Sequence, residues 1–269
     1  MTFHQPESFG VNRIQGLFEK NSQIPPVEQN IALEFNRIGQ DRSVNTPLKT
    51  ATTGKLADKK GRTVFLPQGY ESNYAYPLII WLHEDGGSEK DLKRIMRLIS
   101  TRNYVGLCLR GSIPAVVGKK IGFRYTLSDS GLKKTEDELF QSVKELKRHI
   151  HLHTERVYLA GFRTGGRVAL KLMLNRPAWF QGVVVLGSDL SQDRFSLKKL
   201  DELRGSSAMF GLGSQDRTTC IQSLVETGRI LNAAGVDVAS RIYDNGPELT
   251  PNMLHDVNCW LMDGICATV

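Results

Sequence analysis

The amino-acid sequence predicts an α/β domain built on a largely parallel sheet. From residue 62 onward, short apolar runs of strand length alternate with amphipathic segments of helical length. The composition, 40% hydrophobic and 23% charged with 25 Gly and 10 Pro, excludes collagen-like, low-complexity and wholly disordered chains. The 269 residues suit one large domain with a short appendage.

Residues 1–60 hold Pro25 and Pro26, many amide and hydroxyl side chains, and one helix-like stretch at 27–38, so they are expected to form a partly ordered N-terminal extension. The domain is expected over 61–269. Apolar runs predict strands at 63–66, 78–83, 105–109, 157–160, 183–186, 208–212 and 238–243, and periodic segments predict helices at 89–101, 136–150, 165–174, 219–234 and 252–262. Between Arg110 and Gly131 lies a stretch with Gly and Ser but no clear period, expected to form a lid or pocket wall.

Lys and Arg exceed Asp and Glu by 35 − 28 = +7. That balance permits anionic partners, but the basic residues fall in scattered pairs (Lys59 and Lys60, Lys119 and Lys120, Lys133 and Lys134, Lys198 and Lys199) without a recognition motif, so no nucleic-acid partner is expected. No apolar run nears the roughly 20 residues a membrane span needs. The first ten residues lack the pattern of a secretory signal, so a cytoplasmic protein with no membrane partner is expected. Cys108, Cys220, Cys259 and Cys266 have no zinc-ribbon or CxxC spacing and read as reduced core thiols.

The most informative segment runs through Gly161, Phe162, Arg163, Thr164, Gly165 and Gly166: a strand ending in Gly, two intervening residues, then a Gly pair opening a helix. This is the strand-turn-helix setting of a nucleophile elbow. Three further segments follow suit: Trp81 to Gly87 with His83, Glu84 and Asp85; Gly213 to Asp216; and Tyr243 to Glu248 followed by a helix. With these in order, the chain resembles the α/β-hydrolases of the phospholipase/carboxylesterase type. The resemblance implies a mostly parallel twisted sheet with helices on both faces. It also implies an oxyanion loop at His83, Glu84 and Asp85 with the Thr164 amide, and triad positions at residues 163, 216 and 247.

The triad that the resemblance implies is vestigial. Arg163 stands where the family keeps its serine, and a guanidinium is permanently protonated and offers no nucleophilic lone pair. Pro247 stands where the general base belongs and has no titratable group. Asp216 is present, but the imidazolium it would stabilise is not supplied. Glu84 replaces a glycine of the oxyanion loop with an anion. No catalytic residue is therefore expected, and no cofactor. Arg163 has two readings: an internal ion pair to Asp216 or Glu84 that fills the vacated pocket, or an anion site at the helix N-terminus for a small carboxylate or phosphate ligand.

Other candidates are weaker. His149, His151 and His153 alternate as metal ligands can, yet without an acidic partner nearby, so no metal is expected. His83 reads as a packed strand-end residue, and His255 lies too far along the last helix to replace the missing base. Ser188 or Ser112 with His83 would be the residues of a rearranged, active site. Three readings stay open: a catalytically degenerate relative retained for binding, regulation or assembly; an active hydrolase with a rearranged site; and an anion-binding protein using Arg163.

Overall fold

The computed structural model describes residues 58–59, 61–190 and 199–266. Most of the 1–60 extension, including the helix expected at 27–38, lies outside the described residues. Its end does contribute to the sheet: β1 (Asp58–Lys59) pairs antiparallel with β2 (Arg62–Phe65).

The remaining strands are β3 (Tyr76–Leu82), β4 (Val105–Leu109), β5 (Ile113–Val117), β6 (Lys120–Arg124), β7 (Leu152–Phe162), β8 (Gly182–Leu186), β9 (Ser207–Gly213) and β10 (Asp237–Tyr243). Helices are α1 (Leu92–Ile99), α2 (Asp129–Lys147), α3 (Thr164–Asn175), α4 (Ile221–Ala233) and α5 (Pro251–Cys266). The main sheet has the order β1-β2-β4-β3-β7-β8-β9-β10. From β4 to β10 every pairing is parallel, and β2 runs antiparallel on β4.

Strands β3, β4 and β8 are buried at every residue, as central parallel strands covered on both faces must be. Alternation divides their side chains. Ile79 and Trp81 of β3 join one core cluster with Leu92, Ile95 and Met96 of α1 and Met253, Leu254 and Val257 of α5. Leu78, Ile80 and Leu82 point to the opposite face, the side of α3, which packs on β3, β7 and β8. Cys108 is in this core, whereas Cys220, Cys259 and Cys266 are exposed, which corrects the expectation that all four are core thiols.

The stretch between Arg110 and Gly131 contains structure that periodicity did not reveal: β5 and β6 form a two-stranded antiparallel hairpin. It is fastened to the loop after β3, where the Gly86 amide donates to the Phe123 carbonyl at 2.9 Å and the Phe123 amide to the Gly87 carbonyl at 2.9 Å. The hairpin's outer side leaves Val116 66% and Ile121 85% exposed.

The chain passes from β3 to β4 on one side of the sheet and then returns through α2 to β7 on the other side of β3. Where the order reverses, the loops beyond the carboxyl ends of β3 and β7 diverge and leave a crevice between them. The predicted site residues lie there.

Candidate functional site

The turn from β7 into α3 is fixed by close backbone approach. A Cβ on Gly165 would meet the carbonyl oxygens of Leu82 and His83, and one on Gly161 would meet the backbone of Gly165. Only glycine allows these strand ends to pack so tightly. Between them Arg163 has φ 52° and ψ −120°, and it is the sole non-glycine residue with positive φ among the described residues. Such a conformation costs about 1–3 kcal/mol and persists only where its surroundings over-determine it. Here they do: the Arg163 amide donates to the Leu186 carbonyl at 2.8 Å, and the helix begins at Thr164. The elbow backbone is intact.

The side chain on that elbow spans the crevice. Arg163 Nη2 donates to the Pro247 carbonyl at 2.8 Å, and Nη1 donates to Thr218 Oγ1 at 3.1 Å. Thr218 in turn donates to Asp216 Oδ1 through both its hydroxyl, at 2.6 Å, and its amide, at 2.9 Å. Asp216 Oδ2 lies 3.8 Å from Arg163 Nη2, and Glu84 Oε2 lies 3.9 Å from Nε. Both carboxylates that the sequence offered as partners are thus present, at ion-pair range but beyond hydrogen-bond range. Thr218 carries the directional contact to Asp216, and Pro247 contributes its backbone oxygen. The Asp216 side chain is 1% exposed, so the nearby cation and the two Thr218 donors offset its desolvation.

His83 is buried, with both ring nitrogens engaged. Nδ1 contacts the Glu84 carbonyl at 2.7 Å, and Nε2 accepts from the Gly111 amide at 3.0 Å. Since an amide only donates, Nε2 carries no proton and Nδ1–H donates; the imidazole is neutral. Burial pulls its pKa below the ordinary histidine value. It packs 4.7 Å from the Tyr125 ring and has no lone pair left for a substrate.

Glu84 stands between two cations, with Oε1 at 2.6 Å from Lys120 Nζ of the hairpin and Oε2 facing Arg163. An anion in this place opposes a developing oxyanion, although the Thr164 amide, at the first position of α3, is among the helix donors left without an intrahelical acceptor. Asp85 Oδ1 is buried and has no hydrogen-bond partner. Beside these residues opens a cleft of about 360 Å3 lined by Trp81, Phe162 and Pro247 as well as Glu84 and Lys120.

The rearranged site is not assembled. Ser188, 1% exposed, donates to the carbonyls of Arg163 at 2.8 Å and Leu186 at 3.1 Å, supporting the elbow from behind. Ser112 is bonded to Thr126 at 3.2 Å. Among the described residues no imidazole is hydrogen-bonded to a hydroxyl. His153 caps its own turn, Nδ1 accepting from the amides of Glu155 and Arg156 at 3.2 Å, and burial lowers its pKa. Among the described residues no three His, Cys, Asp or Glu side chains converge as a metal centre would require.

Thr218 and the Pro247 carbonyl are the partners that sequence reasoning missed. A Thr two residues after an acid in a polar turn is a weak signal for an Asx-type bond, and a backbone oxygen has none.

Comparison with known proteins agrees with the fold. No family model matches the chain. The NocK protein of Nocardia uniformis subsp. tsuyamanensis, which carries an esterase designation, is 28% identical over 118 residues, 42% of this chain and 33% of NocK. The chain therefore aligns with about a third of that relative's length. Among solved structures, a Mesorhizobium loti carboxylesterase superposes with TM-score 0.62 at 22% identity, covering 81% of this chain and 99% of the other. The Bacillus cereus carboxylesterase gives 0.61 at 18%, over 76% and 93%. Arabidopsis thaliana SOBER1 gives 0.58 at 16%, over 71% and 100%. With its mostly parallel sheet matched over most of the chain by such structures, the chain has the α/β-hydrolase fold and esterase-like relatives.

Proposed function

We propose that this chain is a catalytically degenerate relative of the carboxylesterases that keeps its crevice for binding, regulation or assembly. The observation that carries the reading is the Arg163 guanidinium, 29% exposed, bonded across the crevice to Pro247 and Thr218 where a nucleophile and a base would face each other. Loss of a triad nucleophile or base costs on the order of 10⁶ in turnover, and the remainder depends on an oxyanion hole that Glu84 opposes. The anion-site reading is disfavoured because Glu84 and Asp216 already stand within 4 Å of the cation. The rearranged hydrolase is disfavoured because Ser188 and His83 are both spent on backbone partners. Four free cysteines, three of them exposed, fit a reducing, cytoplasmic setting.

The test is labelling with a fluorophosphonate together with turnover of a p-nitrophenyl ester. The expected result is neither, in the native protein and in Arg163→Ser alone, since Pro247 still supplies no base. Stoichiometric modification of any serine, or turnover by that single variant, overturns the reading.

A further inference from the structure

Helix α5 buries Met253, Leu254, Val257, Leu261 and Ile265 against the sheet. His255 and Cys259, four residues apart on its other side, are both exposed. Their donor atoms, His255 Nε2 and Cys259 Sγ, stand 3.6 Å apart. We propose that this pair is a two-donor chelate for a soft divalent cation, zinc being the natural occupant.

The argument is geometric. Zinc binds an imidazole nitrogen at about 2.0–2.1 Å and a thiolate at about 2.3 Å, and at a tetrahedral angle those lengths put the two donors about 3.6 Å apart. The separation in the helix is already that bite, so binding needs no movement of the backbone. Residues between the two in the sequence hold the helix in place: Tyr243 donates its hydroxyl to Asp256 Oδ2 at 3.0 Å, and Tyr104 donates to Asn258 Oδ1 at 3.1 Å. Anchored donors lose little freedom on binding. Among the described residues no third ligating side chain joins them, so two positions on the ion stay open to water or to a ligand carried by another molecule. Binding replaces the Cys259 thiol proton, which is released to solvent, and uses the lone pair of the neutral imidazole. Cys220 and Cys266 are exposed as well but have no imidazole contact among the described residues, which makes them internal controls.

The experiment uses untagged full-length protein, kept reduced with a phosphine, titrated with cobalt(II) and followed by its thiolate-to-cobalt charge-transfer absorption; zinc binding is measured by calorimetry. The expected result is an absorption band that saturates, is abolished in Cys259→Ser, and persists in Cys220→Ser and Cys266→Ser. His255→Ala should weaken zinc binding at least about tenfold. Zinc should also raise the melting temperature of the native protein and not of the Cys259→Ser variant, since a ligand stabilises only the state that binds it. A band that follows Cys220 or Cys266, or zinc binding indifferent to both His255→Ala and Cys259→Ser, overturns the proposal. Both substitutions are on a solvent-facing surface, and an unshifted melt without metal verifies folding.

Discussion

Two polar residues end neighbouring strands of the sheet and are held in opposite ways. His83, after β3, is buried and neutral, and its ring bonds end on the backbone of Glu84 and Gly111. Arg163, after β7, is charged and part-exposed, and its bonds reach segments 55 and 84 residues away. The first residue joins the ends of β3 and β4 through backbone partners, while the second ties together the ends of β7, β9 and β10. The difference teaches that the elbow's shape belongs to its backbone, while the side chain standing on it fastens the loops after β9 and β10.

The sharpest way to break this comparison is at the point where the two loops touch. Gly165→Ala would press a methyl group onto the Leu82 and His83 carbonyls, with no flexible side chain to give way. We expect a loss of about 3 kcal/mol or more in urea denaturation, at the upper end of overpacking costs. A loss below about 1 kcal/mol would mean the elbow is not set by that contact.

A smaller effect separates backbone from side chain at residue 163 itself. Arg163→Ala removes both cross-crevice hydrogen bonds and the cation beside buried Asp216 while keeping the strained φ, and should cost about 1–2 kcal/mol. Arg163→Gly loses the same contacts but adopts φ 52° without strain, so it should be the more stable of the two by about 1 kcal/mol. If alanine proves the better replacement, the strain has been misjudged.

The smallest effect concerns His83. Because burial depresses its pKa in the folded state, the unfolded chain takes up the proton first as pH falls. Stability is full above about pH 6.5 and declines from there toward the depressed folded value, with a slope of at most about 1.4 kcal/mol per pH unit from this group. His153, also depressed by burial, adds in the same direction. Urea midpoints at pH 7.5 and 5.5 should therefore differ, and His83→Gln should shrink the gap. An unchanged gap in the variant would show that His83 is not held neutral.

The middle of the sheet was legible because its central strands are apolar: β4 appears at its expected boundaries, and β8 differs by one residue. Other elements were legible only in part or not at all. Strand β7 begins at Leu152 rather than 157, because pairing with Tyr76 of β3 extends it through a polar stretch. Helix α2 begins at Asp129 rather than 136, started by the Ser128 side chain accepting from the Gly131 amide, a cap obscured by the glycine within its first turn. The β5–β6 hairpin escaped notice because Pro114, Gly118 and Gly122 interrupt any alternation, and its support comes from a distant glycine loop. In the site, Arg163, Glu84 and Asp216 were legible because their places follow from the elbow and the acid turn. Pro247 was legible only as an absence, since its contribution is a carbonyl oxygen that every residue type possesses. The exposed cysteines were misplaced because composition, and not helical phase, assigned them: Val257 and Leu261 mark the inward side of α5, and Cys259 lies off it.

The hairpin's attachment has a mechanical consequence. Its Phe123 backbone grips the glycine pair, and its Lys120 holds the Glu84 carboxylate that faces Arg163. Ribbon and loop are therefore fastened into one unit that runs from Ile121, in open water, to the carboxylate beside the guanidinium. Among the described residues the most exposed large apolar side chain, Ile121, is thereby joined through one hairpin to the half-buried charges that bridge the crevice.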